Sequence, residues 1–218
     1  MHDFMFFELS YKLSEILKNV TESTREYPSW LTELAKYFVG VLGVVIGFFL
    51  NSFKENRTKK KKEKKYLECI EWEVRQSLDI SRNIFITTVS TLFAFKLKKE
   101  NVALGTHLTI PTHCVNKFYP EIAEIINDDK RFALCSILSE IPFLDEYNKD
   151  VHSIMLVVGD VPTDKVIEKL CIILNRAHTV YQSSRCYLGE ISKDEMISTD
   201  IDTTATHLEI HDFDFLRK

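Results

Sequence analysis

The pattern of apolar and polar residues changes sharply within the first quarter of the chain. Residues 37–53 carry no charged side chain, and a helix built from them has no polar face before Asn51. Such a helix is about 26 Å long at about 1.5 Å per residue, near the lower limit for crossing the hydrocarbon core of a membrane. Pro28 and Ser29, just before it, are typical of a helix start. The pattern predicts one transmembrane helix over residues 29–53.

Two other interpretations of this apolar stretch fit it less well. A buried helix of a soluble protein would normally show polar residues on one face. A cleaved signal peptide would start nearer the N-terminus, would follow a basic stretch and would end in small residues. Here lysines follow the apolar stretch instead.

The chain after the apolar stretch predicts a long stem helix. Residues 54–104 contain neither Gly nor Pro, the residues that most often end helices. The β-branched run "IFITTVSTLFAF" lowers the intrinsic helix preference, but burial of a continuous stripe should override it. The stripe recurs at near-heptad spacing and consists of Leu67, Ile70, Val74, Leu78, Ser81, Phe85, Thr88 and Leu92.

The first residues of the chain predict a shorter helix with one apolar face. Residues 4–20 are too few and too charged to span a membrane. We therefore expect residues 1–28 to form an extracytoplasmic amphipathic segment, which lies on the outer surface of the membrane or packs on its own copies. The apolar positions are Phe6, Leu9, Leu13, Ile16 and Val20.

Further helical patterns follow a connector, "GTHLTIPTH". Apolar residues recur at helical spacing over residues 114–126 and 129–157, with Pro142 as a break or kink in the second stretch. Thr163 can cap the next helix after the turn "GDVPTD". Its stripe is Val166, Leu170, Ile173, Ala177, Val180, Ser184 and Leu188.

These elements together predict an all-α protein. Residues 105–190 form a helical bundle, joined by the stem to the transmembrane helix and the N-terminal amphipathic helix, with no sheet of more than two strands. Residues 191–218 form a polar tail. Its end, "HLEIHDFDFLRK", alternates like an edge strand, but a docked segment or no ordered structure fits it equally.

The charges are divided unevenly along the chain, and this predicts an orientation. Residues 1–53 hold four Lys/Arg and six Asp/Glu, residues 54–65 hold eight and two, and residues 66–218 hold sixteen and twenty-four. Basic residues mark the cytoplasmic end of a span, so the N-terminus should be outside and the bundle in the cytoplasm, with the span in the inner (plasma) membrane. The basic collar, which we also expect to bind anionic lipid, consists of Lys54, Arg57, Lys59, Lys60, Lys61, Lys62, Lys64 and Lys65.

The run "TKKKKEKK" has a second interpretation, as a nuclear address or a nucleic-acid patch. Its position directly beside a span favours topology and lipid, so no nucleic-acid partner is expected.

Three glycines within the span predict self-association. Gly40, Gly43 and Gly47 share one helix face, and the last two form a G-x-x-x-G motif. Small residues let helices approach closely in lipid. The sequence therefore predicts a homo-oligomer whose contacts include the span.

The five cysteines do not form a recognisable pairing pattern. They are odd in number, contain no C-x-x-C pair and all follow the collar. This pattern is typical of free thiols in a reducing compartment. The residues are Cys69, Cys114, Cys135, Cys171 and Cys186.

No motif of a known catalytic or cofactor site is present, so no catalytic residue, metal or cofactor is predicted. His207 and His211 are four apart, which on a helix could bind a metal ion, but the surrounding alternation favours a strand. His113 beside Cys114 lacks a third partner for nucleophilic catalysis. A polar cluster inside a helical pattern predicts either an interhelical hydrogen-bond network or a ligand pocket. Its members are Tyr147, Asn148, Asp150 and His152.

The arrangement resembles a diffuse group of small bacterial membrane proteins with one N-terminal span, a Lys-rich juxtamembrane helix and a helical cytoplasmic domain. The segments that carry the resemblance are "GFFLNSFKENRTKKKKEKKYLECIEWEVRQSL" and "IPTHCVNKF … FLDEYNKDVHSI". Some members of that group resemble membrane effectors of anti-phage defence operons. The resemblance implies no catalytic residues.

Two functional hypotheses follow. In the first, the protein is a membrane-anchored, non-enzymatic effector or adaptor that receives a protein partner and acts through oligomerised spans. In the second, it is a tethered sensor whose bundle binds a nucleotide or small metabolite near residues 147–152.

Overall fold

The fold is that of a computed structural model, which describes residues 11–12, 15, 18–19, 29–97, 109–155 and 163–210. Within these residues all regular structure is helical and no strand occurs, so the all-α prediction is confirmed. The apolar positions of the predicted N-terminal amphipathic helix lie outside the described residues. The helices are α1 (Ser29–Lys96), α2 (His113–Ile122), α3 (Asp128–Met155), α4 (Thr163–Leu188), α5 (Lys193–Ser198) and α6 (Ile201–His207).

The chain divides into two compact units, residues 1–61 and residues 62–218, with the division inside α1. The second unit, called the body below, contains the hydrophobic core. Each unit is described by itself.

One face of α1 forms a wall of that core. The buried side chains recur at spacings of three and four, as an amphipathic helix requires. They include most of the stripe predicted from the sequence, while Leu67 and Leu78 are half-buried. The apolar members of this face are Ile70, Val74, Ile84, Phe85, Val89 and Leu92.

Hydroxyl groups interrupt the buried face of α1 without leaving unpaired donors. Ser77 donates to the carbonyl of Glu73 at 2.9 Å, Thr88 to that of Ile84 at 2.7 Å and Thr91 to that of Thr87 at 2.8 Å. Because these bonds stay within the helix, β-branched and hydroxyl residues can be buried there at little cost. Packing thus overrides the low helix preference of the β-branched run "IFITTVSTLFAF", as predicted from the sequence.

Helix α2 is attached to α1 through its first turn. The two carboxylate oxygens of Glu73 accept the backbone N–H groups of Cys114 at 2.7 Å and Val115 at 2.8 Å. Glu73 is only 2% exposed. A helix begins with backbone N–H groups that lack partners in the helix, and a negative charge is stabilising there. The side chain of α1 therefore caps α2.

Helices α3 and α4 form an antiparallel hairpin. Ser136 pairs with Ser183, Glu140 with Arg176 and Asp150 with Lys169, so partners descend along α4 as they ascend along α3. Pro142 is exposed and α3 continues through it, so the predicted break is absent. The proline removes only one backbone donor from that helix.

The end of α4 carries a Schellman motif. The amide of Gly189 donates to the carbonyl of Cys186 at 3.1 Å, and that of Glu190 to the carbonyl of Arg185 at 3.0 Å. Gly189 has a φ of +79°, which a residue without a Cβ adopts freely. Gly189 therefore ends α4 in a specific helix cap.

The structure describes the polar tail as far as residue 210, and this part contains two short helices. Ser192 and Glu195 form a capping box at the start of α5. Asp200 caps α6 by accepting the amide of Thr203 at 2.7 Å. Thr204 and Ala205 of α6 are buried. This part of the tail is therefore docked on the body, and the alternation that suggested a strand does not produce one at His207.

One predicted boundary needs correction. The stem helix ends at Lys96 rather than near residue 104, and residues 98–108 lie outside the described residues. The stripe of α1 is covered by the body of the same chain, so contact between neighbouring stems is not needed to bury it.

Replacing Glu73 with alanine should destabilise the body by roughly 2–4 kcal/mol, because two hydrogen bonds to a charged group are lost and the first turn of α2 loses its cap. Chemical denaturation in mild detergent, followed by circular dichroism, measures the effect. Glu71→Ala is the matched control. Its exposed ion pair with Arg75 should contribute less than about 0.5 kcal/mol. Equal losses in the two variants would contradict the capping role.

Candidate functional site

Among the described residues, the apolar part of α1 is exposed along most of its length. One helix among the described residues is long and apolar enough to cross a membrane, and its 18-residue apolar window, with a mean hydropathy of 1.6, is 0% buried. Val44 is 74% exposed and Phe48 is 72% exposed. A surface this apolar is typical of contact with lipid or with another apolar helix.

The three glycines of this segment have open space around them. A Cβ added to Gly40, Gly43 or Gly47 would meet no atom within 4 Å. A Cβ at these positions would therefore not clash with the described residues. The small-residue face is thus available to another helix, and its self-association remains a prediction.

The basic collar follows this segment on the same helix. All eight of its Lys/Arg residues are exposed. Successive residues of an α-helix point about 100° apart, so the positive charge of the collar surrounds the helix. At about 1.5 Å per residue the collar is roughly 18 Å long, which exceeds the thickness of the headgroup layer. If the apolar window spans a membrane, the first residues of the collar would lie nearest the anionic headgroups, whose attraction falls off within a Debye length.

The predicted polar cluster lies on α3, and a lysine of α4 contacts two of its members. Asp150 forms an ion pair with Lys169 at 2.5 Å, and the ammonium of Lys169 lies 5.4 Å from the ring centre of Tyr147. The hydrogen bond with Asp150 raises the pKa of Lys169. Asn148 and His152 are half-buried on the same helix. The contacts of Asp150 and Tyr147 favour the interhelical-network interpretation.

A second polar network docks α6 on α4. The side-chain amide of Gln182 donates to the hydroxyl of Thr204 at 2.6 Å, and that hydroxyl lies 3.0 Å from Nδ1 of His178. Nε2 of His178 lies 3.2 Å from the carbonyl of Thr199. These bonds are satisfied when the hydroxyl of Thr204 donates to Nδ1 of His178 and Nε2–H of His178 donates to the carbonyl of Thr199. With a proton on one ring nitrogen only, the imidazole is neutral.

Burial holds His178 in this neutral state. Loss of contact with water lowers its pKa below the ordinary value of 6.5, opposed in part by the carbonyl of Thr199 and the charge of Asp200. The ring of Phe85 lies 6.5 Å away between ring centres. His178 therefore belongs to the core and positions the tail.

Sequence reasoning missed both Glu73 and His178. A signal existed for Glu73, since it stands within the stripe between Ile70 and Ser77 at helical spacing. A carboxylate in that position must find a buried partner. No comparable signal marks His178, because its partners come from a tail whose helices were not predicted.

The remaining candidates for chemistry do not form a site. Cys114, the candidate nucleophile, is joined to Cys69 in a disulfide in this structure, whereas the sequence predicts five free thiols in a reducing compartment. No group of three potential metal ligands occurs among the described residues. His207 is exposed at the end of α6, and His211 lies outside the described residues.

Comparison with known proteins adds no family to this description. No family model, curated protein or solved structure matches the chain. What the chain does must therefore be inferred from its own residues.

The stability of the body should decrease as the pH falls below about 6.5, where His178 of the unfolded chain takes up a proton. In the folded state His178 takes up this proton only near its own, lower pKa. The loss of stability therefore accumulates between the pKa of the unfolded state and that of the folded state. Thermal unfolding measured from pH 7.5 to 5.0 tests this. His178→Gln should make the stability depend less on pH, whereas His113→Gln, at an exposed position, should leave the pH dependence unchanged. A decrease of the same size in the His178 variant would contradict the assignment.

Proposed function

We propose that the protein is a membrane-anchored, non-enzymatic effector or adaptor that acts at the inner membrane through oligomerisation. The observation that carries this proposal is the exposed apolar window of α1 followed directly by the basic collar. The window supplies an anchor and the collar supplies an orientation. The N-terminus is outside, and the body is in the cytoplasm.

The packing of the body supports an adaptor more than a sensor. Asp150 and Tyr147, the best candidates for holding a polar ligand, contact Lys169 of the neighbouring helix. Two further pairs, Ser136 with Ser183 and Glu140 with Arg176, join the same two helices. Side chains engaged in this way are less available to a nucleotide or metabolite, although the side chain of Asp150 is 49% exposed. We therefore assign the body to contact with a protein partner.

Oligomerisation is assigned to the span. The face formed by Gly40, Gly43 and Gly47 permits close approach of a second helix, and the stripe of α1 in the body is already covered. The span has no polar stripe, so any leak across the membrane would arise from the geometry of the oligomer or from the N-terminal amphipathic helix. An antiviral role rests on the resemblance to defence effectors alone. Growth and dye entry, measured in expressing cells with and without phage, test that role.

Orientation can be tested through the collar. Replacing its eight Lys/Arg residues with glutamine should give a mixed orientation, because the positive charge at the cytoplasmic end is lost. Replacing the seven lysines with arginine keeps the charge and is the matched control. The readout is a C-terminal reporter active only in the periplasm. A silent reporter in the glutamine variant, or an active one in the parent, would contradict the assignment.

Self-association can be tested through the glycine face. Gly43→Ile with Gly47→Ile should weaken the oligomer by about 1–2 kcal/mol, the scale of interhelical contacts in membranes. No clash within the chain complicates this result. Val45→Leu with Phe49→Leu alters the opposite helix face and should leave assembly intact. The mass of the detergent-solubilised protein and cross-linking in membranes report the change. A monomeric parent, or equal assembly of both double variants, would refute this proposal.

A further inference from the structure

The disulfide between Cys69 and Cys114 lies at the attachment of α2 to α1. The two Cα atoms are 6.1 Å apart and 45 residues apart in sequence. This separation lies within the range that a disulfide can bridge without movement of the backbone. Cys69 lies on the juxtamembrane side of the buried face of α1, and Cys114 is the second residue of α2.

Other contacts hold the two cysteines together independently of the bond. Tyr66 precedes Cys69 by three residues and stacks on Phe118, with ring centres 4.3 Å apart and planes 11° apart. Glu73 follows Cys69 by four residues and accepts the amides of Cys114 and Val115. The three residues of α1 share one helix face. With the bond reduced, the two thiols would still be neighbours.

The compartment of the body sets the state of this pair. In the orientation proposed above, on which this inference rests, the body is in the cytoplasm, where disulfides are rare because thiols are kept reduced. The pair should therefore be a dithiol in the resting cell. We propose that Cys69 and Cys114 form a thiol–disulfide switch that fastens the juxtamembrane part of α1 to the first turn of α2 under oxidising conditions.

The switch requires an oxidant, and a low-molecular-weight disulfide of the glutathione type supplies it. The thiolate of one cysteine attacks the small disulfide, forms a mixed disulfide and releases one small thiol. The second cysteine then attacks the protein sulfur of the mixed disulfide and releases the other small thiol. Two electrons pass from the protein to the small disulfide. The protons of the two cysteines end on the two released thiols.

The three other cysteines are less suited to the same reaction. Burial together with the charge of Asp129 raises the pKa of the Cys186 thiol, whereas Cys135 and Cys171 are exposed but have no second sulfur bonded to them. A higher pKa leaves less thiolate, the form that attacks. Cys135 lies 3.2 Å from the hydroxyl of Tyr119. All three are unbonded in the structure, so oxidation should select the Cys69–Cys114 pair.

The switch is tested by counting thiols with a maleimide mass tag on the full-length protein. Protein acid-trapped from untreated cells should carry five tags. Detergent-purified protein treated with oxidised glutathione should carry three and should unfold at a temperature several degrees higher than the reduced form, because a 45-residue loop is closed. Cys69→Ser should carry four tags before oxidation and should lose at most one afterwards, because Cys114 without its partner can only retain the small thiol as a mixed disulfide. The matched control Cys171→Ser should carry four and then two.

The outcomes separate this switch from the proposed orientation. Five tags after oxidised glutathione would overturn the switch and leave the orientation standing. Three tags in untreated cells would show a permanent disulfide, which overturns the switch and also places the body in an oxidising compartment. A loss of two tags in oxidised Cys69→Ser would show that the oxidisable pair lies elsewhere, and would overturn the assignment to these cysteines.

Discussion

The burial of one face of α1 is the interaction on which the rest of the body depends. Six apolar side chains of that face are buried, each stabilising by about 1.5–3 kcal/mol relative to exposure. Their sum exceeds the several kcal/mol that burial of one carboxylate costs, and two amide hydrogen bonds to Glu73 offset part of that cost. Because α1 carries the carboxylate, α2 can begin only where its first amides meet it. The position of α2 then brings Cys114 to Cys69.

The surroundings of α1 change along its length, and its composition changes with them. In the apolar window every side of the helix is apolar, as a helix surrounded by lipid would require. In the collar the charges need water or headgroups on every side. Beyond the collar one face must be apolar and the other polar. This order could be seen in the sequence because each stretch obeys a simple periodicity rule, which is why the helical fold and the candidate span were predictable.

The features that the sequence did not reveal depend on packing between distant segments. The pairing of Cys69 with Cys114 has no spacing signature, and an odd number of cysteines suggested free thiols. The short helices of the tail were missed although their caps, Ser192 and Asp200, stand in the sequence. The reason is that helices of six and seven residues are too short to show a periodic stripe. The glycine face and the collar, by contrast, are local patterns, and their proposed roles still rest on pattern and exposure.

The charged side chains of the body bear on the choice between an adaptor and a sensor. Several of them cover aromatic rings at the surface. Arg176 lies 5.1 Å from the ring centre of Phe143, and Lys193 lies 4.5 Å from that of Phe132. Such cation–π contacts shield apolar surface that would otherwise attract other chains. Trp72, 56% exposed, has no such contact among those described, and the aliphatic Ile197 is 63% exposed. A body whose polar groups join its own helices, and whose surface keeps a few apolar side chains, is better suited to a protein partner than to a small polar ligand. A protein partner bound at this surface of the body would act together with the oligomerisation assigned to the span.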